Sequence, residues 1–440
     1  LSTPTARPNI LFVLADDMGY GDVSFHGSRI RTPNLDRLAR TGTELTQHYV
    51  TPLCTPTRVC LLTGRHPGRF GRHATTPSNP PVLPDGYQTL ASMLKQADYE
   101  TGLFGKWHMG SDPKFAPNNY GFDHSYGSLA GGVDPYTHRY KRGEWSFTWH
   151  RNGELVNERG HVTDLIADEA VKWIHEREQK KPWFCYVPFT AVHTPIKPRE
   201  DWLDQYELTR FDDDPKRDEG FKRYAAYASH MDQAIGRLIE ALKVTDQYHN
   251  TIVVFTSDNG AVPASECPGD VSLYPGWQME TLLMGSNGPF RGRKGQMYDG
   301  GIHTTCLVRW HDVLPVNHRM NHPVHMVDWM PTFASLLDLK PTEEPHWDGK
   351  DIWSLLNNET STIPDRPLYW NLRHNEFAAR LGDWKLISKD DQEELYNVAS
   401  DPGETCDCAQ EQPGIVKDLR KIIAEHHAGD DVSKRSDVDS

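Results

Sequence analysis

Four apolar runs constrain this chain most: "NILFVLA" (9–15), "YETGLFG" (99–105), "PWFCYVPFT" (182–190) and "TIVVFTS" (251–257). They are short and largely continuous rather than alternating. That is the pattern of strands covered on both faces, as in a parallel sheet. Helical patterns alternate with them, over Asp36 to Thr41, Thr89 to Ala97, Thr163 to Glu176 and Phe221 to Val244. In the last, Tyr224, Tyr227, Met231, Ile235, Leu238 and Leu242 recur at spacings of three and four. Strand and helix in alternation predict an α/β fold: a large central mixed, mostly parallel sheet flanked by helices.

The striping ends near Leu339. "KPTEEPHWDGKD" follows as a connection, and then "RPLYWNL", "EFAARLGDWKLI" and "EELYNV" read as short strands with turns between them. A final helix is predicted over Gly414 to His427, ahead of an acidic tail. The expected organisation is a large domain over 1–340 and a smaller C-terminal α+β domain over 341–440, built on an antiparallel sheet.

Charge narrows the partners. The formal net charge is −14, which speaks against nucleic acid, and no basic tract marks a membrane surface. No apolar run is long enough to span a bilayer. An anionic substrate must therefore be held by a local cluster of cations working against the global field. The chain reaches its first strand within a few residues, which reads as an exported protein, periplasmic or secreted, whose signal has been removed. Seven cysteines are scattered without zinc spacing, so few or no disulfides are expected.

Polar residues stand where each buried run stops. Asp16 and Asp17 follow the first. Lys106, Trp107 and His108 follow the second, His193 the third, and Asp258 and Asn259 the fourth. In open α/β sheets, sites form beyond the carboxyl ends of the strands. Three carboxylates and an amide oxygen make a set suited to a hard cation, Ca²⁺ or Mg²⁺, more than to zinc. Taken singly, each has a plainer reading. Asp16-Asp17 could cap a helix, Asp258-Asn259-Gly260 could be a turn, and His193 could be a loop histidine. Their joint appearance carries the case. One string stays unexplained by these rules: "CTPTRVCLLTGR", Cys54 to Arg65. A thiolate nucleophile there would need a base, and Arg58 cannot serve as one.

That string resembles the signature of the type I sulfatases of the alkaline phosphatase-like superfamily. It is complete as Cys54, Pro56, Arg58, Leu62, Thr63, Gly64 and Arg65. "PNILFVLADDMGYGD", "GLFGKWHMG", "TSDNG", "FRGRKGQMYDGGI" and "LYNVASDPGE" support it, so the resemblance runs from about Pro8 to Glu404. It implies that a separate maturation enzyme oxidises Cys54 to Cα-formylglycine (3-oxoalanine). One hydroxyl of the hydrated aldehyde would attack sulfur, and the other would later expel sulfate. It implies that Asp16, Asp17, Asp258 and Asn259, with the modified residue 54, ligate the metal, usually Ca²⁺. Arg58 would support the nucleophile and the carboxylates. Lys106 and Lys294 would grip the sulfate oxygens. His108 would drive sulfate elimination, and His193 would protonate the leaving oxygen.

Two positions depart from the family pattern: Asp299 precedes Gly-Gly, and His303 stands where arginine is usual. His303 thereby becomes a candidate substrate contact. The aromatic stretch "GFDHSYGSLAGGVDPYTH" resembles the N-acetylgalactosamine-4-sulfatase (arylsulfatase B-like) branch and singles out Asp134, Tyr136 and His138 as candidate sugar contacts. The substrate implied is a sulfated saccharide from a glycosaminoglycan or algal polysaccharide, desulfated from its end. A phosphonate monoester hydrolase or phosphodiesterase of the same superfamily is the nearest alternative. A non-catalytic sugar-binding protein on this fold is the farther one.

Overall fold

The computed structural model describes residues 7–177, 181–263, 265–266, 282–339, 341, 346–360, 363–373, 375–390 and 392–431. Ten strands form the main sheet. In chain order they are β1 (Asn9–Ala15), β2 (Thr43–Leu45), β3 (Glu100–Lys106), β4 (His124–Ser128), β5 (Trp149–Arg151), β6 (Glu154–Leu155), β7 (Trp183–Pro188), β8 (Thr251–Ser257), β9 (Cys306–Arg309) and β10 (His318–Met320). Their spatial order is β10-β2-β9-β8-β1-β7-β3-β4-β5-β6. The five central strands, β8 through β4, all run parallel. β9 turns antiparallel on one side, and β5 and β6 on the other. The predicted mixed, mostly parallel sheet is the observed one.

Strand β1 shows why its run is continuous. Ile10, Phe12 and Leu14 point into one core, and Leu11, Val13 and Ala15 into the other, all fully buried. Three helices cover the second face: α1 (Pro33–Thr41), α2 (Val162–His175) and α3 (Pro215–Val244). The first face is covered by helices over Cys54–Thr63, Leu90–Gln96 and Trp329–Leu336. Helix α3 starts six residues before Phe221, where the sequence pattern begins it. Asp214 caps it, accepting from Arg217 N at 2.9 Å, and Pro215 occupies the first turn.

A four-stranded antiparallel sheet, Leu368–Leu372, Glu376–Leu381, Trp384–Lys389 and Gln392–Asn397, forms the C-terminal unit, with helix Pro413–His427 on one face. Its other face, through Leu368, Trp370 and Ile387, packs against Tyr49, Leu53 and Ile302 of the main unit. Residues just beyond the expected connection, Ile352, Leu355 and Leu356, pack into the core under the main sheet. Six cysteines lie among the described residues and all are free. Cys267 lies outside them. No helix among the described residues is long and apolar enough to cross a membrane.

Candidate active site

The string "CTPTRVCLLT" folds as a fully buried helix, Cys54–Thr63, ended by Gly64 at φ 65°. A left-handed cap of this kind favours glycine. The helix puts Cys54 in its first turn and Arg58 one turn on. Arg58 reaches under the sheet ends. It donates to the Lys106 carbonyl at 2.6 Å and to Asp258 Oδ2 at 2.8 Å, with no exposed surface.

The ends of β1, β3 and β8 then converge. Lys106 Nζ lies 2.7 Å from Asp16 Oδ2, both buried. Lys294 Nζ lies 2.7 Å from Asp17 Oδ1, and Asn259 Nδ2 donates to that same oxygen at 2.8 Å. Asp17 N donates to Asp258 Oδ1 at 3.2 Å. Donor atoms of Asp16, Cys54 and Asp258 all fall within 4.8 Å of one another, as do those of Asp16, Asp17 and His193. Two buried oxygens, Asp16 Oδ1 and Asn259 Oδ1, have no hydrogen-bond partner. Buried acceptors of this kind are costly unless something positive meets them. An oxygen-rich set with orphaned acceptors fits a hard divalent cation, so these residues could hold one.

Burial raises the carboxyls of Asp16 and Asp258, the latter to about 6. Burial also pushes Asp17 upward, but Lys294 and then His193 outweigh it and hold this carboxyl well below the usual range. Burial raises the Cys54 thiol, which makes it a poor thiolate. Burial, then Lys106 and Arg58, hold His108 well below the ordinary imidazole value. Burial and Lys294 bring His193 to about 3, against the pull of Asp17.

The histidines sit at the mouth of this cluster. His108 and Asp17 adopt left-handed backbone conformations, φ 58° and 62°, which non-glycine residues keep only when their surroundings impose them. The His108 ring packs against Gly131, where a Cβ would stand 2.1 Å from Nε2. His193 Nδ1 donates to the Thr194 carbonyl at 2.7 Å, which leaves Nε2 toward the site, 3.9 Å from Asp17 Oδ2. Cys54, His108, His193 and Lys294 line one cavity of about 390 Å³.

A family model for Sulfatase matches residues 8–339 of this chain. The chain belongs to the sulfatase family. It is 31% identical to arylsulfatase J of Mus musculus, over 96% of this chain and 76% of that protein. It is also 31% identical to the N-acetylgalactosamine-6-sulfatase of Canis lupus familiaris, over 86% of this chain and 71% of the relative. The solved structure of Ps i-CgsB in complex with k-i-k-neocarrahexaose superposes with a TM-score of 0.83 at 32% identity, covering 97% of this chain and 94% of that one.

In this sulfatase the four candidate sugar contacts lie away from the cavity. Asp134 accepts from the Tyr136 and Thr137 amides at 3.0 and 2.9 Å and pairs with Lys197, so it shapes a turn. His138 is buried, stacks on Trp149 at 4.9 Å, and donates to the Gly160 carbonyl. Tyr136 is exposed, but on a different cavity with His161 and Arg199. His303 stacks on Phe290 at 4.2 Å, and its nitrogens meet Asp299 Oδ2 and the Thr46 carbonyl. The family resemblance marked Asp134, Tyr136 and His138, and a departure from its pattern marked His303, but none of the four lines this cavity. The cavity wall is instead a hairpin tied by the Arg139–Phe147 bridge, which brings Tyr140, Arg142 and Trp145 over the site. The signal for it in sequence is "RYKRGEWSF", aromatic residues around a central glycine.

Proposed function

We propose that this sulfatase removes sulfate from a sulfated carbohydrate, a glycosaminoglycan or algal polysaccharide fragment bearing a galactose- or N-acetylgalactosamine-type sulfate, acting from the chain end. One observation carries the reading: Lys294, His108, His193 and residue 54 share one cavity above a buried cluster of three carboxylates, one of them paired with the buried Lys106. The names of the relatives support the sugar class, since one is an N-acetylgalactosamine-6-sulfatase and another was solved with a neocarrahexaose. Tyr140 and Trp145 on the cavity wall supply aromatic surface for a sugar face.

The chemistry divides among residues of the chain. Asp16, Asp17, Asp258 and Asn259 would hold Ca²⁺, or Mg²⁺ in its place, with residue 54 beside them. The cation lowers the pKa of a hydroxyl bound to it. Cys54 would be matured to formylglycine by a separate enzyme, and its hydrate supplies the attacking hydroxyl. Arg58 fixes Asp258 and ties the helix carrying residue 54 to the Lys106 carbonyl. Lys106 and Lys294 place two positive charges where sulfuryl oxygens gain charge in the transition state. His193 presents Nε2 to the departing oxygen, and the negative charge of a bound ester favours its protonation. His108, whose Nδ1 is buried and unpartnered, would take a proton at residue 54. An exported location fits a polysaccharide substrate.

The test is turnover of nitrophenyl sulfate, phenylphosphonate and a panel of defined sulfated sugars. Sulfate esters should be preferred, and the Cys54 peptide of the active protein should be about 18 Da lighter than the unmodified thiol. Preference for the phosphonate, or full activity with an intact thiol, sinks the reading.

A further inference from the structure

Two further cavities adjoin the catalytic one. The first, about 710 Å³, shares Pro77, Ser78 and Asn79 with it. The second, about 570 Å³, shares Lys294. These two in turn share Arg373, Glu376 and Lys389, which lie on and beside the second and third strands of the C-terminal sheet. The three spaces therefore form one trench. It runs from the catalytic lysine to the C-terminal unit. The catalytic cavity alone is near the lower end of the range for small-molecule sites, and the trench extends well past it.

The trench is also positive in a chain whose net charge is −14. Around the first cavity, among the described residues, Arg72, Arg373 and Lys389 face a single carboxylate, Glu376. Around the second, Arg293, Lys294, Arg373 and Lys389 face Glu376 and Glu394. Arg373 Nη1 and Lys389 Nζ lie 3.4 and 3.2 Å from the same oxygen, Glu376 Oε1. One carboxylate cannot neutralise two cations. Glu376 is nearly buried while both cationic side chains are more than half exposed, so it orients them and leaves their outer donors to solvent. Arginine and lysine held in this way match sulfate or carboxylate oxygens.

We propose that this trench binds a second anionic sugar of the same oligosaccharide, with Arg373 and Lys389 holding a sulfate or carboxylate on a neighbouring unit. The inference rests on the glycan reading above and extends it: the preferred substrate is an oligosaccharide with at least two anionic units. A monosaccharide sulfate fills only the catalytic cavity.

The experiment compares nitrophenyl sulfate, a singly sulfated monosaccharide and a tetrasaccharide sulfated on successive units, using the matured protein and the Arg373→Gln/Lys389→Gln double variant. Wild type should favour the tetrasaccharide. In the double variant its kcat/KM should fall by roughly tenfold or more, mainly through KM, with nitrophenyl sulfate unchanged. Added salt should reduce wild-type kcat/KM on the tetrasaccharide more steeply than that of the variant. An unaltered substrate preference and salt slope in the variant would overturn the trench. So would an equal loss on nitrophenyl sulfate, which would make the pair structural. Wild-type protein inactive on every sulfate ester would instead overturn the glycan sulfatase reading itself.

Discussion

Asp16 and Asn259 each keep a buried oxygen unpartnered beside carboxylates that burial already strains. A cation meeting those oxygens binds the native state and stabilises it by mass action, by about 2.7 kcal/mol at a hundredfold excess over Kd. Exhaustive chelation should therefore abolish turnover and lower Tm by several degrees, with both restored by Ca²⁺; a verified metal-free sample at full rate would refute the assignment. The two histidines separate by substrate. His193→Ala should cost about 10²–10⁴ in kcat/KM on a sugar sulfate. It should cost far less on nitrophenyl sulfate, whose leaving group needs little protonation. His108→Ala should slow both alike. Equal loss on both substrates in the His193 variant would exclude it as the leaving-group acid. At this scale the sequence was informative where chemistry follows a strand end, because a buried run fixes where its last residue points. Asp134, Tyr136 and His138 lie in a loop, where composition marks aromatic and polar types but periodicity fixes no direction. Only the fold shows that Tyr140 and Trp145, a few residues on, are the ones facing the cavity.

Among the elements, the continuous strands were legible because two covered faces leave no room for polar alternation. The amphipathic stretches of α1, α2 and α3 were legible for the converse reason. The helix Cys54–Thr63 was not, since it is buried on every side and shows no stripe. Nor was the loop after β4, whose role is steric. Gly131 leaves room for the His108 ring, and a methyl there would stand 2.1 Å from Nε2. Gly131→Ala should displace His108 and reduce kcat on both sugar and aryl sulfates, by roughly a hundredfold if a catalytic proton transfer is lost. Tm should change little, because the displaced ring lines a cavity. Near wild-type rates in that variant would show that the ring position is not demanding.

Across the whole molecule, the C-terminal unit is fastened to the main one by charge as well as by packing. Arg69 pairs with Asp348 at 2.9 Å and with Asp430, beyond the last helix, at 3.0 Å. Asp348 N also donates to the Gly64 carbonyl at the end of the helix that carries residue 54. The sequence showed the C-terminal strands plainly. It could not show this fastening, because its members are hundreds of residues apart and carry no local pattern. The tie should depend on pH. Burial acts to raise the Asp348 carboxyl, but His66 and Arg69 outweigh it and bring it from 3.8 to about 2. A depressed carboxyl stabilises the fold fully above its unfolded value, and that contribution fades as pH falls through the folded value. Asp348 should thus add stability above pH ~4.5, through Arg69, and progressively less toward pH 2. Asp348→Asn removes the titration. Urea midpoints measured for both proteins from pH 5 to pH 2 should start apart, with the wild type more stable, and converge as acid is added. A constant gap across that range would mean that the Asp348 carboxylate charge is not what steadies Arg69, which also holds Asp430 of the C-terminal unit.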